Sequence, residues 1–256
     1  MDFSDPVQRA VFFDLHSELP REGPGDRATV GRALGLIADL PGEPAVLDIA
    51  CGPGGQTMDL AEFLPRARIT ALDMHPPFLR DLDRRAAGAG LSGRIRTMRG
   101  DMRRLSFKPE SFDLFWCEGA AYIVGLPRAL VAWKPLLKPG GYLVLSEPVW
   151  LKPKRPPDAA ANWAEYPAMT DVEGVRIIAR AEGYEVVGDF VLSEEAWWTN
   201  YYGPLEARIA ELRPRYGSDE VASGVVDAAQ FEIDCYRRHA DAFGYLMLVL
   251  RPSRGP

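Results

Sequence analysis

Apolar runs of strand length alternate with helical stretches through most of this chain, and that alternation leaves few folds open. A strand "PAVLDI" is followed by a helical pattern near 55–63, a strand "ARITALD" at 67–73, and a helix reaching about residue 89. Then come "GRIRTMRG" at 93–100, "FDLFWC" at 112–117, a helix around 126–137 and "GYLVLSE" at 141–147. Such a rhythm is the signature of βαβ units on a parallel sheet, with right-handed crossovers placing helices on both faces. The rhythm then breaks. A helix and a strand near 185–192 precede about 50 residues with their own helical pattern, opening "SEEAWWTNYYGPLEARIAEL", before the last strand "AFGYLMLVLRP". A connection that long is usually a lid or a substrate-shaping insertion. "LKPKRPPD" at 151–158 reads as a stiff loop between core and insertion.

The expected architecture is therefore a doubly wound α/β fold of seven strands, most of them parallel. One domain is expected over 1–256, with an amino-terminal helical cover at 1–44, a cofactor-binding core at 45–192, a helical lid at 193–241 and the last strand at 242–251. With 256 residues, of which 47% are hydrophobic, the chain can bury one substantial core. A formal charge of -6 offers no overall attraction to a polyphosphate and argues against nucleic acid. Arginines at 80, 84, 85, 94, 96, 99, 103 and 104 are interleaved with Asp81, Asp83 and Asp101, the pattern of a solvated face. Three cysteines at 51, 117 and 235 give neither a disulfide framework nor metal-ligand spacing, so a reducing cytoplasm and no metal are expected. No apolar run is long enough to cross a bilayer, and the first ten residues lack the apolar core of an export signal.

In an open parallel sheet, ligands sit outside the carboxyl ends of the strands. The first such end reads "VLDIACGPGGQT": Gly52, Gly54 and Gly55 permit close backbone approach, and the helix they open offers unpaired N–H groups to a carboxylate or phosphate. Asp73 closes the second strand, where its carboxylate can accept from both hydroxyls of a ribose. At the third end, Asp101 can accept from an adenine amino group while Met102 packs on the ring. Three coordinated ends point to an adenosine-bearing ligand.

In order, "VLDIACGPGG", "LDM", "GDM", "FDLFWCEGA" and "LKPGGYLVLSE" resemble the successive motifs of the class I S-adenosylmethionine-dependent methyltransferases. The likeness covers about Ala45 to Glu147, with Ala50 replacing the usual first glycine, and the late strand pair also fits that fold, which implies a Rossmann-like seven-stranded sheet, mostly parallel with an antiparallel last strand. It implies S-adenosylmethionine as cofactor, S-adenosylhomocysteine as product, and contacts from Asp48, Ala50, Gly52, Gly54, Gln56, Thr57, Asp73, Met74, Asp101, Met102 and Glu118. "FFDLHSELPREGPGDRATVGRAL" and "EAWWTNYYGPLEARI" are similar to a bacterial subgroup of the same enzymes, which strengthens the enzyme class without bringing a substrate; the acidic chain and compact aromatic insertion suggest a small-molecule acceptor.

Methyl transfer from a sulfonium is an in-line displacement, so alignment in a dry pocket carries most of the catalysis, and a base matters only for a protonated nucleophile. In the resembled fold "WCEGAAYIVG" lies beside the reactive methyl. Glu118 is the first candidate for substrate contact or base, the other reading being a positioning carboxylate. Tyr122 walls the pocket or simply packs. His16 has the pKa for a base reaching over from the amino-terminal cover, or is an incidental histidine on an amphipathic helix. Arg21 sits before "GPG" as a residue that would meet a carboxylate, or stays solvated. Trp150, Tyr166, Trp197 and Tyr201, with Trp163, Trp198 and Tyr202, could enclose a planar or cationic acceptor, or pack a lid on the core. Glu147 ends the fifth strand and faces the same cavity or an ion pair. Two other classes compete with a small-molecule methyltransferase. An RNA or protein methyltransferase would favour a basic face, and a cofactor-binding module would bind without turnover. A nicotinamide dehydrogenase fits less well, since A-C-G-P-G-G departs from G-x-G-x-x-G spacing.

Overall fold

A computed structural model describes residues 3–253. Helices α1 (Pro6–Leu15) and α2 (Arg27–Gly35) precede β1 (Ala45–Ile49), α3 (Gly55–Phe63), β2 (Arg68–Asp73), α4 (Pro76–Gly88) and β3 (Ile95–Arg99). The chain continues through β4 (Phe112–Cys117), α5 (Ala121–Val124), α6 (Leu126–Trp133), β5 (Leu137–Trp150), α7 (Pro157–Asn162), α8 (Val172–Ala181) and β6 (Tyr184–Val191). It closes with α9 (Glu194–Trp197), a π-helical turn Trp198–Tyr202, α10 (Gly203–Tyr216), α11 (Glu220–His239) and β7 (Phe243–Pro252).

The seven strands form one sheet in the order β3-β2-β1-β4-β5-β7-β6, with β7 antiparallel to both neighbours and the other pairs parallel. Chain order reverses between β1 and β4, so the crevice of an open α/β sheet opens where the Ala50–Gly55 turn and Glu118 emerge. One sheet face buries Val46, Leu114, Trp116 and Val144 with Leu15, Leu60, Leu82 and the lid residues Trp197 and Val225. The other buries Leu47, Phe115 and Leu145 against Leu130 and Trp133 of α6 and Val175 and Ala179 of α8. Alternation along β1 and β5 sends successive residues to these two cores, as the pleat of a strand covered on both faces requires.

Helix starts follow their side-chain caps: Asp26, Asp171, Ser193 and Asp219 accept from first-turn N–H groups of α2, α8, α9 and α11. The α3 helix, like α4, α6 and α10, starts without one, its cap being Gly54 with no side chain to offer. Gly54 holds φ +87°, and a Cβ there would lie 2.3 Å from Leu82 Cδ1, so only glycine lets α3 and α4 pack this closely. Ala50 also sits at positive φ, +53°, where an L-residue costs about 1–2 kcal/mol. The turn is thus held in a strained path by what surrounds it.

The amino-terminal cover rests on the lid and on α4. Arg208 of α10 donates to Asp14 O and Ser17 Oγ, Tyr216 donates to Asp14 Oδ2, and Arg85 of α4 donates to Leu19 O and Pro20 O. Arg85 and Arg94 therefore correct the expectation of a wholly solvated arginine face: Arg94 ties Ala61 O and Leu64 O, and both guanidiniums serve as clamps for chain carbonyls. The helix expected to reach 137 is α-helical only to Trp133, because Pro135 cannot donate the next bond, and a 3-10 turn leads into β5. The proline-rich loop gives way at Pro157 to the short α7.

Candidate active site

Beneath the glycine turn, Asp48 is 0% exposed. Its Oδ2 accepts the Thr57 hydroxyl at 2.5 Å and its Oδ1 faces the Gln56 amide at 3.5 Å, while Gln56 also donates to Cys51 O. Asp48 and Thr57, expected as cofactor contacts, spend their side chains on each other and shape the turn from below. Burial pushes the Asp48 carboxyl up to about 7, against the pull of the Thr57 hydroxyl.

Asp73 lies beside the turn. Its Oδ2 accepts Gly52 N at 2.9 Å and its Oδ1 accepts His75 N at 2.8 Å, which joins two strand ends and leaves each oxygen further lone pairs. Burial raises this carboxyl and the backbone donors pull it back. The His75 ring stacks on Phe13 of α1 at 3.6 Å, so the cover reaches the second strand end. Met74 is 54% exposed. Asp101 accepts from Arg103 N and Nε at 2.9 Å, which holds its carboxyl below the usual range, and Met102 is partly buried with its carbonyl bonded to Trp133 Nε1.

The segment Pro20–Gly23 lies across the turn. Arg21 is only 3% exposed and bridges two carboxylates, Glu118 Oε2 at 2.7 Å and Asp59 Oδ2 at 2.5 Å. It is therefore not the solvated arginine that a surface loop would carry. The second Glu118 oxygen accepts Trp116 Nε1 at 2.7 Å. Paired with Arg21 through one oxygen and with Trp116 through the other, Glu118 has the contacts of a positioning carboxylate. Burial raises its carboxyl, opposed chiefly by Arg21. Next to it, Gly119 N donates to Ser146 Oγ at 2.8 Å. His16 stacks on Phe12 at 4.1 Å with its Nδ1 2.7 Å from Glu22 Oε2, and a Cβ on Gly52 would stand 2.9 Å from Glu22 Cγ. The pair is thus adjacent to the turn, and Glu22 Oε1 is buried without a partner. The cavity between Arg21, Glu22, Gly23 and Ala50, Cys51, Gln56, Glu118 holds about 20 Å³. A larger one of about 510 Å³ opens at the opposite ends of β5 and β7, by Lys138 and Arg251, away from the crevice.

Over β4 and β5, Glu147 is 1% exposed and accepts the Tyr166 hydroxyl at 2.6 Å. Burial pushes its carboxyl up to about 8, and burial first, then Glu147, pushes the Tyr166 phenol up. The Tyr166 ring is 5.5 Å from Tyr122, whose own hydroxyl is pushed up to about 12 by burial and interacts with the Tyr245 hydroxyl. The π-helical turn rotates Tyr201 and Tyr202 inward, where both hydroxyls face Glu232 Oε1, at 3.5 and 2.9 Å. Trp197 stacks on Tyr236 at 4.0 Å and is 1% exposed, which spends its face on α11. Trp150 is covered by Phe243 and the Arg155 guanidinium. These two aromatics pack the lid, whereas Tyr122, Tyr166 and Tyr201 gather around the strand ends.

Sequence reasoning missed Glu22, Asp59, Glu232 and Tyr245. The Glu232 signal is legible in hindsight: an acid one residue before Ile233 on the buried side of α11. No helix among the described residues is long and apolar enough to cross a membrane.

Residues 46–141 match the family described as Methyltransferase domain. A trans-aconitate 2-methyltransferase of Streptomyces avermitilis is 33% identical over 117 residues, 45% of this chain and 43% of that protein. One of Paracidovorax citrulli is 28% identical over 190 residues, 68% of each chain. The match thus spans less than half the length of the first relative and about two thirds of the second. The solved structure of a SAM-dependent methyltransferase from Geobacter sulfurreducens in complex with S-adenosyl-L-homocysteine superposes with a TM-score of 0.79 at 22% identity, covering 95% of this chain and 98% of that one. That likeness is one of fold.

Proposed function

We propose that this chain, a member of the class I S-adenosylmethionine-dependent methyltransferases, transfers a methyl group to a small-molecule acceptor, as one methyltransferase domain in the cytoplasm. The observation that carries the reading is the meeting of the glycine turn, the Asp73 carboxylate and the Arg21–Glu118 pair at one crevice. The residues fit the cofactor: no Cβ projects from Gly52, the α3 start lacks a side-chain cap, and Asp73 keeps lone pairs for ribose hydroxyls. When bound, S-adenosylmethionine would supply an electrophilic methyl on a sulfonium. Asp101 and Met102 would frame the adenine, and Ala50 and Gly52 the methionine portion.

Ligand pockets usually measure hundreds of Å³, roughly 300–1,000 Å³, so the 20 Å³ between Pro20–Gly23 and the turn is too small for the methionine portion. Pro20–Gly23 must therefore withdraw to admit the cofactor and close again to exclude water, with Arg21 free to exchange a protein carboxylate for that of the ligand. The names of the relatives support a small-molecule acceptor, and three buried free cysteines accord with a reducing compartment. Titration with S-adenosylhomocysteine in a calorimeter is expected to show one saturable site per chain, with no response to NADH. A flat S-adenosylhomocysteine titration would overturn the reading.

A further inference from the structure

The wall above β4 and β5 contains a buried polar atom with nothing to bond. Glu147 Oε1 is taken by Tyr166, but Oε2 has no hydrogen-bond partner in a residue that is 1% exposed. Leaving a buried acceptor unpaired costs about 1–3 kcal/mol, more for a charged group, and an arriving donor removes that cost. The surroundings determine which donor suits it. From Tyr166 an unbroken series of rings leads to the reaction end of β4: Tyr122 at 5.5 Å, then Trp163 at 6.2 Å from Tyr122, then Tyr245 at 6.1 Å from Trp163. A Cβ on Gly119 would stand 3.9 Å from the Tyr245 hydroxyl, which brings the series to the residue after Glu118.

Acidic side chains crowd this wall. The carboxyls that Tyr122, Tyr201 and Tyr245 feel most include Glu22, Glu147 and Glu232. The nearby Arg21 is committed to Asp59 and Glu118, and the His16 ring is held against Glu22. Carboxylates and aromatic faces together attract a cation and repel an anion.

We propose that the acceptor is a small organic amine that enters as an ammonium, lies against the rings of Tyr122 and Tyr166, and gives one N–H proton to Glu147 Oε2. This rests on the methyltransferase reading above. Burial holds a proton on Glu147 up to about pH 8 in the free protein, so the arriving ammonium first drives that proton out to solvent. One N–H proton then passes to Oε2, leaving a neutral amine and a neutral Glu147 carboxylic acid. The nitrogen lone pair then forms the new N–C bond as the S–C bond of the methyl donor breaks, its electron pair remaining on sulfur. The products are an N-methylammonium and a thioether, and Glu147 later returns its proton to solvent. Glu118 suits this part less well, because its ion pair with the buried Arg21 opposes taking up a proton.

The test uses the whole chain, labelled S-adenosylmethionine and two probe sets: phenethylamine, putrescine and histamine, against hydrocinnamate, succinate and catechol. Label is expected in an amine and in none of the acids or the phenol. Glu147→Gln keeps an acceptor for the Tyr166 hydroxyl, so its S-adenosylhomocysteine affinity should stay within about twofold of wild type, while kcat/KM for the amine falls at least about hundredfold through kcat. Tyr166→Phe, which frees Oε1 but keeps the carboxylate, should lose less than about tenfold. The proposal is overturned by transfer to a carboxylate or phenol, by a wild-type protein that binds S-adenosylhomocysteine but methylates no amine, or by Glu147→Gln retaining amine turnover. Failure to bind S-adenosylhomocysteine at all would instead strike the methyltransferase reading beneath it.

Discussion

Asp73→Ala is expected to weaken S-adenosylhomocysteine binding at least tenfold and toward a hundredfold, measured by calorimetry against the wild-type chain. The carboxylate stands at the end of β2 with its two oxygens shared between Gly52 N and His75 N. Hydrogen bonds to a charged group contribute about 1.5–3 kcal/mol each, and about 1.4 kcal/mol is a tenfold change in affinity. Losing two ribose contacts therefore exceeds tenfold even after partial compensation by water. The variant also frees Gly52 N, so a fall in melting temperature accompanies the loss. Turnover at saturating cofactor should change little, because Asp73 is on the opposite side of the turn from Glu118. Unchanged affinity would remove Asp73 from the site.

Melting temperature is expected to fall as pH rises from about 6 to 8.5, and Glu147→Gln is expected to flatten much of that slope. The sign follows from the direction of the shifts. Burial raises Asp48 from 3.8 to about 7 and Glu147 from 4.5 to about 8, so the folded state holds protons that the unfolded chain has released. The stability linked to these protons is complete below the unfolded values and is lost as pH climbs through the folded ones. At about 1.4 kcal/mol per pH unit per group, the pair accounts for roughly 2–4 kcal/mol across that window. For a chain of this size that is roughly 5–10 °C. The glutamine variant carries no such proton and should overtake the wild type above pH 8. A melting temperature that is flat or rises with pH would show these carboxyls ionised in the folded state.

Much of the core was legible because strand and helix periods differ and because parallel strands covered on both faces read as apolar runs. β1, β2 and β4 lie within a residue or two of where the apolar runs put them, whereas the antiparallel setting of β7 came from the family resemblance, since a long helical connection by itself suits parallel strands. Strand ends were legible for the same reason: Asp73, Asp101 and Glu118 stand there because the topology puts every parallel carboxyl end on one edge of the sheet. Pairing was not legible. Nothing in the spacing of Arg21, Asp59, Trp116 and Glu118 announces that they share one network, since residues 21 and 118 are joined only by tertiary folding. The aromatic lid posed a related difficulty. Trp197 and Tyr201 lie one helical turn apart, and the inserted residue of the π-helical turn sends one against Tyr236 and the other toward Glu232. Composition carries no sign of that rotation. The Asp48–Thr57 pair shows the converse: residues of the glycine-turn motif can brace the turn from beneath, bonded to each other.

The most direct measurement is transfer of labelled methyl from S-adenosylmethionine into a cell extract treated with the purified chain, with small metabolites, RNA and protein then separated. Label is expected in the small-metabolite fraction, and its mass identifies the acceptor. Label confined to RNA or protein would contradict the small-molecule reading, and binding of the cofactor with no label in any fraction would contradict the enzyme itself.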